Sequence, residues 1–173
     1  MFKKVIFGSL LISSLNSVAN VSLDPNFTLM QERAGLKLFE QGKYQEAFEK
    51  LSELAAWGYK DSQYALAFMF LKGQHVEQST LIGMGWLAMA AESGIEDWVN
   101  LFDRLYSAAS NAEKLRIDKI IEVYTAKYGM QVQRVTCSKT QKPPSKKIVI
   151  ACVKGDYFVH DYGIDLNEQT LSL

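Results

Sequence analysis

Residues 57–94 read WGYKDSQYALAFMFLKGQHVEQSTLIGMGWLAMAAESG, a stretch that begins and ends on nearly the same phrase. Ala55-Ala56-Trp57-Gly58 is answered by Ala90-Ala91-Glu92-Ser93-Gly94, and a further glycine stands at 129. The glycines at 58, 94 and 129 are therefore 36 and then 35 residues apart. A period of that size marks stacked helix-turn-helix units, and each glycine falls where the second helix of a unit should stop.

Inside the quoted stretch, Asp61 or Ser62 is placed to cap a helix carrying Tyr64, Ala67, Phe68 and Leu71, which Lys72-Gly73 ends. Ser79 then caps a second helix carrying Ile82, Trp86, Met89 and Ala90. Gly83 and Gly85 lie within that helix, where each costs roughly 1 kcal/mol relative to alanine, so a close neighbour is expected there. Upstream, Tyr44, Ala47, Phe48, Leu51, Leu54 and Ala55 recur three and four apart, the spacing of one buried helical stripe, after the turn Gln41-Gly42-Lys43. Phe27, Met30, Ala34, Leu38 and Phe39 supply the stripe of the helix before, started by Asp24-Pro25. Downstream, Trp98, Leu101, Phe102, Leu105 and Tyr106 are followed by Asn111 as a cap and by Leu115, Ile117, Ile120, Ile121, Tyr124 and Tyr128. Six helices in three hairpins follow: a mainly α chain, an α/α solenoid over residues 20–129.

Ala67 through Phe70, Gly73, Val76, Trp86 and Ala90-Ala91-Glu92-Ser93-Gly94 together resemble the Sel-one-like repeat, a relative of the tetratricopeptide repeat. The first unit keeps Gly42, Ala47 and Ala55-Ala56-x-Gly58, and the third keeps little beyond its period and glycine. Gln74-His75 and Gly83-Met84-Gly85 depart from the family pattern. The resemblance implies a curved stack of hairpins whose concave wall receives a protein or peptide, such as an envelope protein or a toxin. A two-helix hairpin cannot bury its apolar face alone, and stacking creates both a core and a long surface. On that reading Arg33, Lys37, Gln63, Leu66, Phe70, Asn100 and Arg104 face outward to a partner; the alternative packs Leu66 and Phe70 between hairpins and leaves the charges solvated. Exported cysteine-rich relatives act on cell-wall-like molecules, but they carry paired cysteines in each repeat, so that activity is not carried over here.

The two ends have a different grammar. Lys3-Lys4, an apolar run from Val5 to Leu15 and Ser17-Val18-Ala19 compose a secretory signal peptide over residues 1–19, cleaved after Ala19, with a run too short to span a bilayer. The mature chain is expected in a bacterial periplasm or outside the cell, with no membrane insertion. Residues 130–173 hold the β-branched and aromatic runs QVQRVTC, KKIVIACV and DYFVHDY around Pro143-Pro144, which predicts a small β subdomain of two or three antiparallel strands. Cys137 and Cys152 lie in the first two runs. An exported chain with two cysteines points to one disulfide if the register lets the sulfurs meet, with free or intermolecular thiols as the alternative. Such a strand pair offers either a cap for the last helices or an edge for strand addition.

Charge and chemistry narrow the function. The 19 basic residues lose Lys3 and Lys4 with the leader, leaving 17 against 19 acidic ones, so no global field selects nucleic acid. Of two histidines, His75 falls in a loop and His160 in the tail, and neither has a metal-ligand neighbour at the required spacing. No Gly-x-Ser-x-Gly elbow or phosphate-binding glycine loop is present. Paired carboxylates such as Glu96-Asp97 stand at helix starts, where the helix dipole favours them. The sequence thus points to a non-catalytic interaction module without metal or cofactor; a hydrolase of envelope material is the alternative, and would need a deep pocket joining His75 or His160 to carboxylates.

Overall fold

In chain order, the computed structural model contains a short strand β1 (Val21–Ser22), then helices α1 (Pro25–Glu40), α2 (Tyr44–Ala56), α3 (Lys60–Lys72), α4 (Thr80–Ala91), α5 (Glu96–Ala108) and α6 (Asn111–Tyr128). Strands β2 (Val135–Gln141), β3 (Ile148–Lys154) and β4 (Phe158–Val159) and a 3-10 turn (Glu168–Thr170) follow. The structure describes residues 21–22, 24–155, 158–159 and 162–171. The expected leader, His160 and Asp161 lie outside them.

The helix boundaries follow local chemistry. Asp24 accepts the amide of Asn26 with Pro25 in the first turn, and Ser79 accepts the amide of Ile82. Two expected caps differ. The N-cap of α3 is Tyr59, so Asp61 falls in the first turn and Ser62 inside the helix. For α6 the cap is Ser110, whose side chain and Glu113 satisfy each other's backbone amides in a capping box, one residue before the expected Asn111. Gly58 closes α2 at φ +88, where a Cβ would also come within 2.8 Å of the Gln133 side chain. Gly129 stops α6 in an extended conformation instead.

Successive helices pack on each other from α1 to α5, and α6 lies against α4. The α3–α4 hairpin is the centre. Leu81 to Leu87 of α4 are all buried, and on α3 so are Ala65, Leu66, Ala67, Met69 and Phe70. A helix that is apolar nearly all round belongs in the interior, which is why a single stripe misreads α3: Tyr64, Phe68 and Leu71 are half-buried while Leu66 and Phe70 are fully enclosed. The mid-helix glycines of α4 have the expected neighbours. A Cβ on Gly83 would lie 2.7 Å from the Leu71 side chain, and one on Gly85 2.9 Å from the Tyr124 ring. Trp86 packs against Tyr124 and Tyr128 with ring centroids 5.0 and 4.7 Å apart, which seats α6 on α4.

Helix α1 presents a different face from the one its apolar spacing suggests. Phe27 and Met30 are more than half exposed, whereas Thr28, Glu32 and Gly35 are buried. Two polar contacts turn it that way: the Tyr59 hydroxyl donates to Thr28 Oγ1 at 2.6 Å, and Ser62 donates to Glu32. Leu51 then presses on Gly35, where a Cβ would come within 2.6 Å of it.

Strands β2 and β3 form an antiparallel hairpin in which Cys137 faces Cys152, and the two are joined by a disulfide. Closing that loop contributes about 3 kcal/mol in the chain-entropy account. Residues 131–134, expected to begin the first strand, are a turn instead. The third strand does not join the hairpin: β4 pairs with β1, from the far side of the helices in sequence. Lys154 fastens the hairpin to the helices by donating to the backbone oxygens of Trp57 (2.8 Å) and Gln133 (2.6 Å). The last described residues return to the helices: the Tyr128 hydroxyl donates to Gly163 O, Glu168 takes Ser79 and Arg116, and Leu171 is buried in the core.

Candidate functional site

A cleft of about 590 Å³ opens between the hairpin and the helices. One wall is α1, through Leu29, Glu32, Arg33 and Leu36; the floor includes Tyr59, Lys60 and Asp61 at the start of α3, with Ile95 and Trp98 beside them. The other wall is the hairpin: residues 149–154 of β3 all border the space, joined by Val135, Thr140 and Gln141 of β2 and by Lys142 and Pro143 at the tip. Side chains alternate across a strand, so a run of consecutive residues lining one cleft means that the strand turns its edge toward it.

Among the described residues that edge is unpaired. In an antiparallel pair, closely approached opposite residues are the ones that do not exchange hydrogen bonds. Cys137 and Cys152 approach to a Cα–Cα distance of 4.0 Å, so Val153, Ala151 and Val149 bond to β2, while Ile148, Ile150 and Cys152 turn N–H and C=O to the free side. The backbone bonds Lys142 N to Lys147 O and Gly155 N to Arg134 O fit the same alternation. β3 has only β2 as a neighbour among the described residues.

The α1 wall carries the charge. Glu32 is only 7% exposed, and one of its oxygens accepts both the amide (3.2 Å) and the hydroxyl (2.8 Å) of Ser62. Burial pushes its carboxyl up to about 7 against the opposing pull of Ser62, and the nearby charge of Asp61 adds to the rise. Asp61, exposed at the mouth of the cleft, is also raised, because the surrounding protein displaces part of its water. Beneath them Lys60 is enclosed and lowered by burial, while its ion pair with Glu92 (2.8 Å) holds it charged. The Lys60 ammonium also donates to Gln63 Oε1 and Met89 O. Gln63 in turn donates to the backbone oxygens of Ala55 and Tyr128. This buried network joins α2, α3, α4 and α6 under the cleft floor.

The expected partner-facing residues therefore separate. Gln63 and Phe70 are fully buried, as is Leu66, and do not face outward: the amide of Gln63 is consumed by backbone oxygens, and Phe70 and Leu66 fill the α3–α4 core. Arg33, Lys37, Asn100 and Arg104 are exposed. Of these only Arg33 borders the cleft, so the four do not converge. His75 is exposed at φ +68 with its ring against Phe48 and does not line the cleft. Sequence reading missed Glu32, placed Asp61 only as a helix cap, and offered the strand edge only as a general possibility. The signal that could have found Glu32 is a charged residue four positions after Thr28 and three before Gly35, on what becomes the buried face of α1.

Among the described residues no group of three or more histidine, cysteine, aspartate or glutamate side chains is placed to hold a metal ion, and no helix is long and apolar enough to cross a membrane. Comparison with protein-family models, with curated proteins and with solved structures finds no match.

Proposed function

We propose that this chain is a non-catalytic exported interaction module, six helices of the Sel-one-like kind with a stapled strand pair, that holds a protein or peptide partner in the cleft between β3 and α1. The observation that carries the reading is that cleft: one wall is main chain with unused hydrogen-bonding groups, a form of surface suited to another polypeptide. The Cys137–Cys152 bridge accords with an oxidising compartment. The immobilised chain is expected to retain one protein in stoichiometric amount from the exported fraction of the producing cell. Leu29→Arg combined with Ile95→Arg, both at the cleft lining, should release it at least tenfold more readily. Retention of no protein, or retention unchanged by the double substitution, would overturn the proposal.

A second reading, a hydrolase of envelope material, draws support from Glu32, since a carboxyl held near 7 suits a general acid. It requires release of fragments from isolated cell-wall material by the wild-type chain and none by Glu32→Gln.

A further inference from the structure

Three features of the cleft point to the same kind of occupant. The first is the edge of β3. Natural sheets shield exposed edges with lysines, prolines or bulges; here Lys142, Pro143, Pro144, Lys146 and Lys147 crowd the tip of the hairpin, but between Val149 and Val153 no such residue intervenes. The second is the opposite wall. Glu32 and Asp61 take part in none of the ion pairs found among the described residues, although both residues border the cleft and Glu32 is nearly removed from water. Of the basic residues around the same space, Lys60 is bound to Glu92, Lys154 to backbone oxygens, and Arg33 is the weakest of the influences on Glu32, outweighed by burial. A desolvated carboxylate that no ion pair neutralises is stabilised further by a cation that arrives with a ligand. The third is the apolar lining between them, where Leu29, Leu36, Ile95 and Trp98 border the space and Trp98 is held by stacking on Tyr64 at 4.5 Å.

Resting on the interaction-module reading above, we infer that the cleft takes an extended segment of a partner protein, which adds as a strand to the free edge of β3 and places a lysine or arginine between Glu32 and Asp61. The main-chain groups of Ile150 and Cys152 pair with the incoming backbone. Alternate side chains of that segment then fall on the apolar lining, as the two-residue period of a strand requires. A second copy of this chain is a poor occupant: β3 itself reads IVIACVK, with its only basic residue at the end and already committed to Trp57 O and Gln133 O.

The probe is an acetylated, amidated hexapeptide alternating valine and threonine with one central lysine, titrated calorimetrically into the intact oxidised chain. Saturable binding is expected. It should weaken at least tenfold when the lysine is replaced by glutamate, and disappear when alternate backbone amides are N-methylated. Glu32→Gln with Asp61→Asn should erase the lysine preference while leaving the N-methylation effect. Ile150→Pro removes an outward N–H without taking a bond from β2; with the disulfide and circular dichroism intact, it should abolish binding. Indifference to N-methylation, equal binding of the lysine and glutamate peptides, no binding at all, or concentration-dependent dimerisation that Ile150→Pro prevents would each overturn the inference. If the peptide fails while a protein partner is still retained and released by the Leu29→Arg, Ile95→Arg pair, strand addition alone is lost and the interaction module stands.

Discussion

Glu32 shows what a single side chain does when a helix turns a carboxyl inward. Its oxygen is occupied by Ser62, yet burial outweighs that hydrogen bond and the proton is held to about pH 7 rather than the ordinary 4.5. Because the folded chain binds this proton more tightly than the unfolded chain, the stability that Glu32 contributes is fully present below about pH 4.5 and is lost as pH rises through 7. The full difference corresponds to at most about 3 kcal/mol. Asp61 acts in the same direction, whereas Glu113 and Glu168 are lowered by their serine partners and act oppositely at more acidic pH. Urea unfolding at pH 5 and pH 7.5 should therefore show a loss of stability that Glu32→Gln largely removes, since glutamine still offers Ser62 an acceptor. An identical slope in both proteins would mean that Glu32 is ionised throughout.

At the scale of elements, α4 exchanges intrinsic helix stability for closeness. Replacing Gly85 with alanine would gain about 1 kcal/mol in an isolated helix, but here the added methyl meets the Tyr124 ring at 2.9 Å and Ile120 at 3.2 Å. Overpacking of this kind costs about 1–3 kcal/mol, so Gly85→Ala should lower the unfolding midpoint; a raised midpoint would show that α6 yields without cost. The element order was legible because the glycine period, Asp24-Pro25 and Ser79 are local signals, and so was the pairing of Cys137 with Cys152. The faces of α1 and α3 were not. Apolar periodicity assumes one wet side, and α3 has almost none; on α1 the orientation is set by Tyr59 and Ser62, residues of another element that no local pattern reveals. The β3 edge was foreseen only as a general possibility, because its exposure depends on β4 pairing with β1 instead of extending the hairpin.

For the molecule as a whole, the C-terminal segment acts as a strap over α4 and α6. Glu168 accepts from Ser79 at 2.7 Å and pairs with Arg116 at the same distance, so it reaches the start of α4 and the first half of α6 at once. Leu171 enters the core at 7% exposure. Leu171→Ala should cost about 2 kcal/mol or more and open the segment after Tyr162 to limited proteolysis under native conditions; an unchanged digestion pattern would show that the other holds, Glu168, Tyr128 and the Lys127–Asp165 ion pair among them, keep the strap in place without Leu171. The clasp between β1 and β4 has a consequence of another kind. A chain made from its amino end presents Val21–Ser22 long before Phe158–Val159, so the opening strand lacks its mate until the segment between them has been made. The clasp can therefore close only after all six helices exist as chain.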